Sequence, residues 1–280
     1  MIKSVKRIIS LLPKICIDSI KVAFSILGGV AIFLNFTKFS LDFVGKLPAQ
    51  IGSVILTYVL LFAGTIFVKH QLTKNEVTLN IRGMKIIVKE GDILTSKGWK
   101  LIPFNEYFDT QVDDVIIAHS SLNGKYIDSL GVDDAEALKL AILADSASPL
   151  DKYPSSDSAK IRYELGTIKV FKEVMMLALT HFNEQNEAHT NRAEYEHSLR
   201  KMWKEIRRTH QGKSINIPLI GGGLTQFDDL TEKPNEELLK CILCTLRTSS
   251  VTFDENVQIS IILTKKTLET VNLYELKGEK

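Results

Sequence analysis

This 280-residue chain has few cysteines, no excess of one charge, and none of the short signatures of common hydrolases. Its cysteines are Cys16, Cys241 and Cys244. An odd, sparse set forms no disulfide framework. Cys241 and Cys244 make a lone CxxC inside ELLKCILCTLR, which reads as an apolar helix, and a zinc site needs more ligands than these two. Lys+Arg is 35 and Asp+Glu is 33, a formal net charge of +2. That balance lacks the concentrated basic face of a nucleic-acid binder, so no nucleic acid is expected as partner. There is no Walker A loop, no HExxH and no GxSxG. His181, His189, His197 and His210 show no metal-ligand spacing, so neither a metal nor a cofactor is expected. Repeats and low-complexity tracts are also absent.

What the chain does have is an excess of hydrophobic residues at its front. Mean hydropathy is +0.05 although a quarter of the residues (24%) are charged. Ile51 to Val68 reads IGSVILTYVLLFAGTIFV, eighteen residues without a charge. A helix rises about 1.5 Å per residue, so this run nearly matches a hydrocarbon core of about 30 Å. Ile15 to Phe36 is long enough as well, with Asp18 and Lys21 on one helix face near its start. The pattern predicts a two-helix transmembrane hairpin, with helices at about 15–36 and 51–68 inside an N-terminal membrane region 1–75. A secretory signal peptide is the rival, but no small-x-small cleavage site precedes the second run. Lys3, Lys6, Arg7 and Lys14 precede the first run, and Lys69, Lys74 and Arg82 follow the second. The positive-inside rule then places both termini in the cytoplasm, for a two-pass protein of the cell inner membrane in contact with the lipid bilayer.

From residue 76 to 280 the texture is that of one α/β domain. Strands are expected at Val77–Ile81, Met84–Lys89, Val112–His119, Val174–Phe182, Ile215–Ile220 and Gln258–Leu263. Continuous apolar runs such as QISIILT suit strands covered on both faces. Helices are expected at Asp133–Asp145, Asn191–Thr209 and Asn235–Ser249, the last with Asn235 as N-cap. Asp145–Asp157 reads as a loop. Alternating strands and helices predict a three-layer α/β/α domain with a mixed, mainly parallel sheet.

Ligands of such sheets sit beyond the carboxyl ends of strands. There, IPLIGGGLT runs a strand into Gly221-Gly222-Gly223, where consecutive glycines let backbone N–H groups approach an anion. VKEGDIL places Asp92 just past a strand end, where a carboxylate can accept from an exocyclic amine or merely cap a turn. IPFNEYFDT and SLNGKYI add Asn105, Ser120 and Leu122, which either line a pocket or belong to surface loops.

Together these segments resemble the macro domain family over roughly residues 77 to 276. The resemblance implies that Asp92 and Ile93, in the GDI motif, bind an adenine end. It implies that Pro218, Gly221, Gly222, Gly223 and Leu224 cradle a diphosphate and distal ribose. Asn105, Ser120 and Leu122 would complete an ADP-ribose-like site. With two N-terminal spans the chain is similar to the membrane-anchored macro effectors of Thoeris antiphage defence. That similarity implies a homo-oligomeric effector that binds an ADP-ribose derivative, an amino-acid conjugate such as histidine-ADP-ribose among the options. A TIR-domain protein would make the signal, and binding would lead to membrane disruption and abortive infection. Hydrolytic relatives read GDIT and then a VNAAN-like stretch. Here Leu94 stands for the threonine, PFNEYFD for VNAAN, and the glycines that follow are missing. A sensor without catalytic residues is therefore expected; the alternative is a membrane-tethered ADP-ribosylhydrolase or ADP-ribose reader.

Overall fold

The computed structural model describes residues 75–144, 161–183, 185–273 and 276, together with Lys21, Gly28, Val59, Ala63 and Gly64. Nine strands and five helices are found among them. In chain order these are β1 (Glu76–Ile81), β2 (Met84–Glu90), β3 (Trp99–Asn105), α1 (Leu122–Asp128), α2 (Val132–Ala144), β4 (Ile168–Phe171) and β5 (Val174–Phe182). Then come β6 (Ala188–Thr190), α3 (Arg192–Thr209), β7 (Ile215–Pro218), β8 (Gln226–Phe227), α4 (Asn235–Arg247), β9 (Ile259–Leu263) and α5 (Lys265–Leu268). The chain divides into two units, Met1–Val77 with Asn272–Glu279, and Thr78–Val271 with Lys280. The second unit holds α1 to α5 and, apart from the first two residues of β1, the whole sheet.

The sheet order is β1-β2-β9-β7-β3-β5-β6-β8, with β4 pairing β5 off that path. Its centre is five parallel strands, β2, β9, β7, β3 and β5. Their sequences are continuous apolar runs because both faces are covered. All five residues of β9 are buried, as are the first seven of β5. The antiparallel β4 and β6 both pair with β5, which makes the sheet mixed. Successive strand residues point to opposite faces. Met176 and Ala178 pack with Leu138 and Ile142 of α2 and Tyr126 of α1. Met175 and Leu177, of the other parity, are just as buried. On α3, Tyr195, Leu199, Met202, Trp203 and Ile206 form the expected buried stripe. The indole N–H of Trp203 donates to Thr245 Oγ1 at 3.1 Å and so ties α3 to α4.

Several local expectations need correction. Val112–His119 is a loop, not a strand, with a single bridge between Val112 and Ile117. Asp113 is the reason: its carboxylate accepts from the amides of Val115 (2.9 Å) and Ile116 (2.7 Å), which closes the chain into a turn. The segment around IPFN is a central strand, β3. Pro103 is tolerated there because β7 pairs only with Trp99 and Lys100, so the β7 side has no ladder bond left to lose at Pro103. The N-cap of α4 is Pro234 and has no side-chain cap bond; Asn235 is the first helical residue and donates instead to Thr270 Oγ1 at 2.9 Å. Asn191 does cap α3, in a reciprocal capping box with Glu194. The loop expected at Asp145–Asp157 lies outside the described residues.

The expected placement as a two-pass protein of the inner membrane with cytoplasmic termini is corrected too. Among the described residues, no helix is long and apolar enough to cross a membrane. A span needs about 20 mostly apolar residues. The longest described helix, α3, has 18, and nine of them are Glu, Lys or Arg. The two expected spans, 15–36 and 51–68, fall outside the described residues apart from the five single positions named above.

Candidate functional site

Because β2, β9, β7, β3 and β5 are parallel, their carboxyl ends share one edge of the sheet. A cleft of about 540 Å³ opens at the ends of β3, β5 and β7. It is bounded by Phe104 and Asn105, by Thr180 and Phe182, by the loop from Asp114 to Asn123, by the Gln185–Ala188 turn, and by the glycine-rich loop after Pro218. Of the residues expected from sequence, Asn105, Ser120, Leu122, Pro218, Gly221, Gly223 and Leu224 line this cleft.

The register between β3 and β5 shifts beside Asn105. Phe104 pairs with Ala178, whereas Asn105 pairs with Thr180, so Leu179 is the extra residue of a bulge on β5. Bulges re-aim side chains near sites. The side chain of Asn105 is also a framework. Its oxygen accepts from the amides of Tyr107 (3.2 Å) and Asp109 (3.1 Å), and its nitrogen donates to Asp109 Oδ2 at 2.8 Å. Across the cleft, α1 begins with Ser121 as N-cap, which accepts from the Gly124 amide at 3.0 Å.

The glycine-rich loop rests on an aromatic floor. Tyr195 and Phe227 meet edge to face, with ring centroids 5.2 Å apart. Gly221 has φ +78, and a Cβ there would stand 3.2 Å from the Tyr195 ring and 3.4 Å from the Phe227 ring. Both the left-handed backbone and the close approach call for glycine. The Tyr195 hydroxyl donates to the Ile220 carbonyl at 2.8 Å.

Three expected residues are not among those lining the cleft. Asp92 is exposed, and its carboxylate accepts from the Leu94 amide at 2.9 Å while its carbonyl accepts from the hydroxyls of Thr95 (3.1 Å) and Ser96 (2.9 Å). It therefore caps the turn after β2. Ile93 is buried beside it. The Gly222 amide donates to the Leu219 carbonyl at 3.2 Å within the loop itself. Asp92 and Ile93 still sit at the carboxyl end of β2, on the same sheet edge as the cleft.

Sequence reasoning missed Thr180 and Phe182, the end of an expected strand, and Glu187 in a polar run. The run gave no signal beyond its polarity; the strand end was itself the signal. It also missed the ionic groups beside the cleft. Glu106 is buried and bonded to His181 Nδ1 at 2.6 Å, with Arg162 Nε at 3.9 Å and Glu194 3.6 Å from His181 Nε2. The hydrogen bond to Glu106 raises the His181 pKa above the ordinary imidazole value. His189, bonded to Asp228 at 2.6 Å, is raised for the same kind of reason. No cluster of metal-ligating side chains is present among the described residues.

Fold and site together define an α/β domain with a glycine-lined cleft at the carboxyl edge of a parallel sheet core. Residues 86–264 match the family described as Thoeris protein ThsA, Macro domain. Thoeris protein ThsA of Bacillus amyloliquefaciens (strain Y2) is 35% identical over 212 residues, covering 74% of this chain and 71% of that relative. Among solved structures, a mutant of the Oceanobacillus iheyensis macrodomain with ADPR is similar at TM-score 0.48 and 12% identity, covering 73% of this chain and 97% of that one. The same macrodomain with ADP is similar at TM-score 0.47 and 12% identity, covering 73% and 95%. Similarity at that level is weak, and the assignment rests on the sequence matches. The chain belongs to the Thoeris ThsA macro-domain family.

Proposed function

We propose that the cleft binds an ADP-ribose-derived nucleotide and that the chain is the signal-reading effector of a Thoeris antiphage defence system, its signal made by a TIR-domain partner. The observation that carries this reading is the Gly221–Leu224 loop, which leaves the carboxyl end of β7 and opens onto the cleft. Backbone amides in such a loop suit a diphosphate. Family membership supports the defence context. Asp92 and Ile93 at the end of β2 would take the adenine end, with the cleft holding the diphosphate and distal ribose. An amino-acid conjugate such as histidine-ADP-ribose fits the reading, because Asp114 and Glu187 at the cleft offer carboxylates to a cationic distal group. Binding would bias self-association, since a ligand shifts an equilibrium only through its preference for one state. The reading assigns no turnover: the Asn105 side chain is committed to its own turn.

The test is calorimetric titration of the full chain with ADP-ribose and with its histidine conjugate, alongside Gly222→Glu and Asp92→Ala. The expected result is binding by the wild type, loss in Gly222→Glu and weakening in Asp92→Ala, with the ligand recovered unchanged. Absence of binding by the folded wild type at millimolar ligand would overturn the reading.

A further inference from the structure

Behind the glycine-rich loop stands a lysine that no motif singles out. Lys233 Nζ donates to the carbonyls of Gly223 (2.7 Å), Gly221 (3.3 Å) and Thr225. An ammonium has three donors, and all three are spent on this one loop. Burial pushes the Lys233 pKa below the ordinary lysine value.

We propose that Lys233 is a positioning residue for anion binding, a clamp that holds the glycine-rich loop with its amides turned toward the cleft; this rests on the nucleotide reading above. The geometry follows from the planar trans peptide, in which C=O of one residue and N–H of the next point in opposite directions. No cis peptide is present among the described residues. With the Gly223 carbonyl drawn onto Lys233, the Leu224 amide points away from the ammonium. Gly221, Gly223, Leu224 and Thr225 line the cleft, while Lys233 does not. The loop thus lies between lysine and cleft, with carbonyls to the rear. Of the three amides opposite those carbonyls, that of Gly222 is taken by Leu219, and that of Gln226 belongs to β8, which pairs with β6. The Leu224 amide is the donor the clamp turns toward an anion in the cleft. The charge behind the loop adds an attraction for that anion, through peptide dipoles already aligned with it.

The loop needs such a clamp. Gly223 and Leu224 are exposed, and a Cβ at Gly223 would meet nothing within 4 Å. Neighbouring side chains do not fix this backbone, and glycine loses the most conformational freedom when ordered. Lys233, by contrast, is held by a rigid element. It precedes Pro234, whose carbonyl accepts from the amides of Glu237 (3.0 Å) and Leu238 (3.2 Å) at the start of α4. The clamp couples the binding loop to a helix rather than to another loop.

The experiment uses the full chain as wild type, Lys233→Met and Lys233→Arg, with two readouts. One is hydrogen exchange of residues 219–227 without ligand; the other is calorimetric titration with ADP-ribose. Lys233→Met is expected to speed exchange of the loop amides about tenfold, leave exchange in α3 and β9 unchanged, and weaken ADP-ribose about tenfold, which is about 1.4 kcal/mol. Lys233→Arg keeps the charge and is expected to hold affinity within about threefold, a rescue that a merely space-filling lysine would not predict. Lys233→Gln takes the place of Lys233→Met if the latter does not fold. Wild-type loop exchange or wild-type affinity in the uncharged variant would overturn the proposal. If the wild type itself binds no ADP-ribose, the nucleotide reading fails, and the exchange data then decide the clamp by themselves.

Discussion

The hydroxyl of Tyr195 donates to the carbonyl of Ile220 at 2.8 Å, so the first turn of α3 holds the residue from which the glycine-rich loop departs. Both partners are buried. Tyr195→Phe removes the donor and leaves a buried carbonyl unpaired, at a cost of about 1–3 kcal/mol. The melting temperature is expected to fall by roughly 2–4 °C per kcal/mol for a domain of this size. Thermal denaturation followed by circular dichroism checks it, and an unchanged midpoint would mean that the carbonyl finds another donor.

Gly221→Ala and Gly223→Ala separate the two roles of glycine in the loop. At Gly221 the backbone has φ +78 and a Cβ would press on the Tyr195 ring. The left-handed conformation alone costs about 1–2 kcal/mol, so Gly221→Ala is expected to lower both stability and ADP-ribose affinity. At Gly223 a Cβ meets nothing within 4 Å, so Gly223→Ala is expected to fold like the wild type. Equal behaviour of the two variants in urea denaturation would contradict this account.

His181 sets a pH dependence. Its pKa is raised in the folded state, first by the hydrogen bond to Glu106, with Glu106 and Glu194 adding attraction and Arg162 opposing it. A raised folded-state pKa means that the imidazolium stabilises the fold at low pH. The contribution is fully present below the unfolded value of about 6.5 and is lost as pH rises through the folded value. Stability is therefore expected to decline across that window, and His181→Gln should flatten the decline. His210, whose pKa is lowered by burial, works with the opposite sign: its contribution is present above the unfolded value and fades as pH falls. Urea midpoints measured at several pH values in both His181→Gln and His210→Gln resolve the two.

Asn105→Ala removes the side chain that closes the 105–109 turn. Two backbone amides lose their acceptor. The expected cost is about 2 kcal/mol, because these groups are left unsatisfied in a part-buried place. ADP-ribose affinity should fall with it, since the bulge and turn shape one wall of the cleft. Asn105→Asp keeps the acceptor but sets a carboxylate against Asp109, so it is expected to bind worse at pH 7 than at pH 5. A titration at both values tests this.

Much of the architecture is legible in the sequence. QISIILT reads as a strand covered on both faces, Val174–Phe182 reads as a strand, and the stripe from Tyr195 to Ile206 reads as core-facing; all three hold. The capping box of Asn191 and Glu194 was not read from the sequence, although its residue types and spacing are there. The errors share one cause. Val112–His119 is as apolar as a strand, yet Asp113 captures the two amides that a ladder would need. Trp99–Asn105 contains a proline, a lysine and an asparagine, yet it is central because β5 and β7 flank it. In both cases competition for backbone hydrogen bonds decided, and local hydropathy does not report that competition.

The sequence by itself marked Gly221-Gly222-Gly223 as a loop whose backbone could approach an anion. Three consecutive glycines after a strand free the backbone to turn, and that information is local. It could not determine how the loop is held. The Ile220 carbonyl meets Tyr195 across 25 residues, the loop carbonyls meet Lys233 from the threshold of α4, and Asn105 lines the cleft beside a bulge of β5. Those contacts depend on the parallel sheet bringing the carboxyl ends of β3, β5 and β7 to one edge. Only tertiary structure decides them, because each joins groups on different elements whose meeting no periodicity encodes.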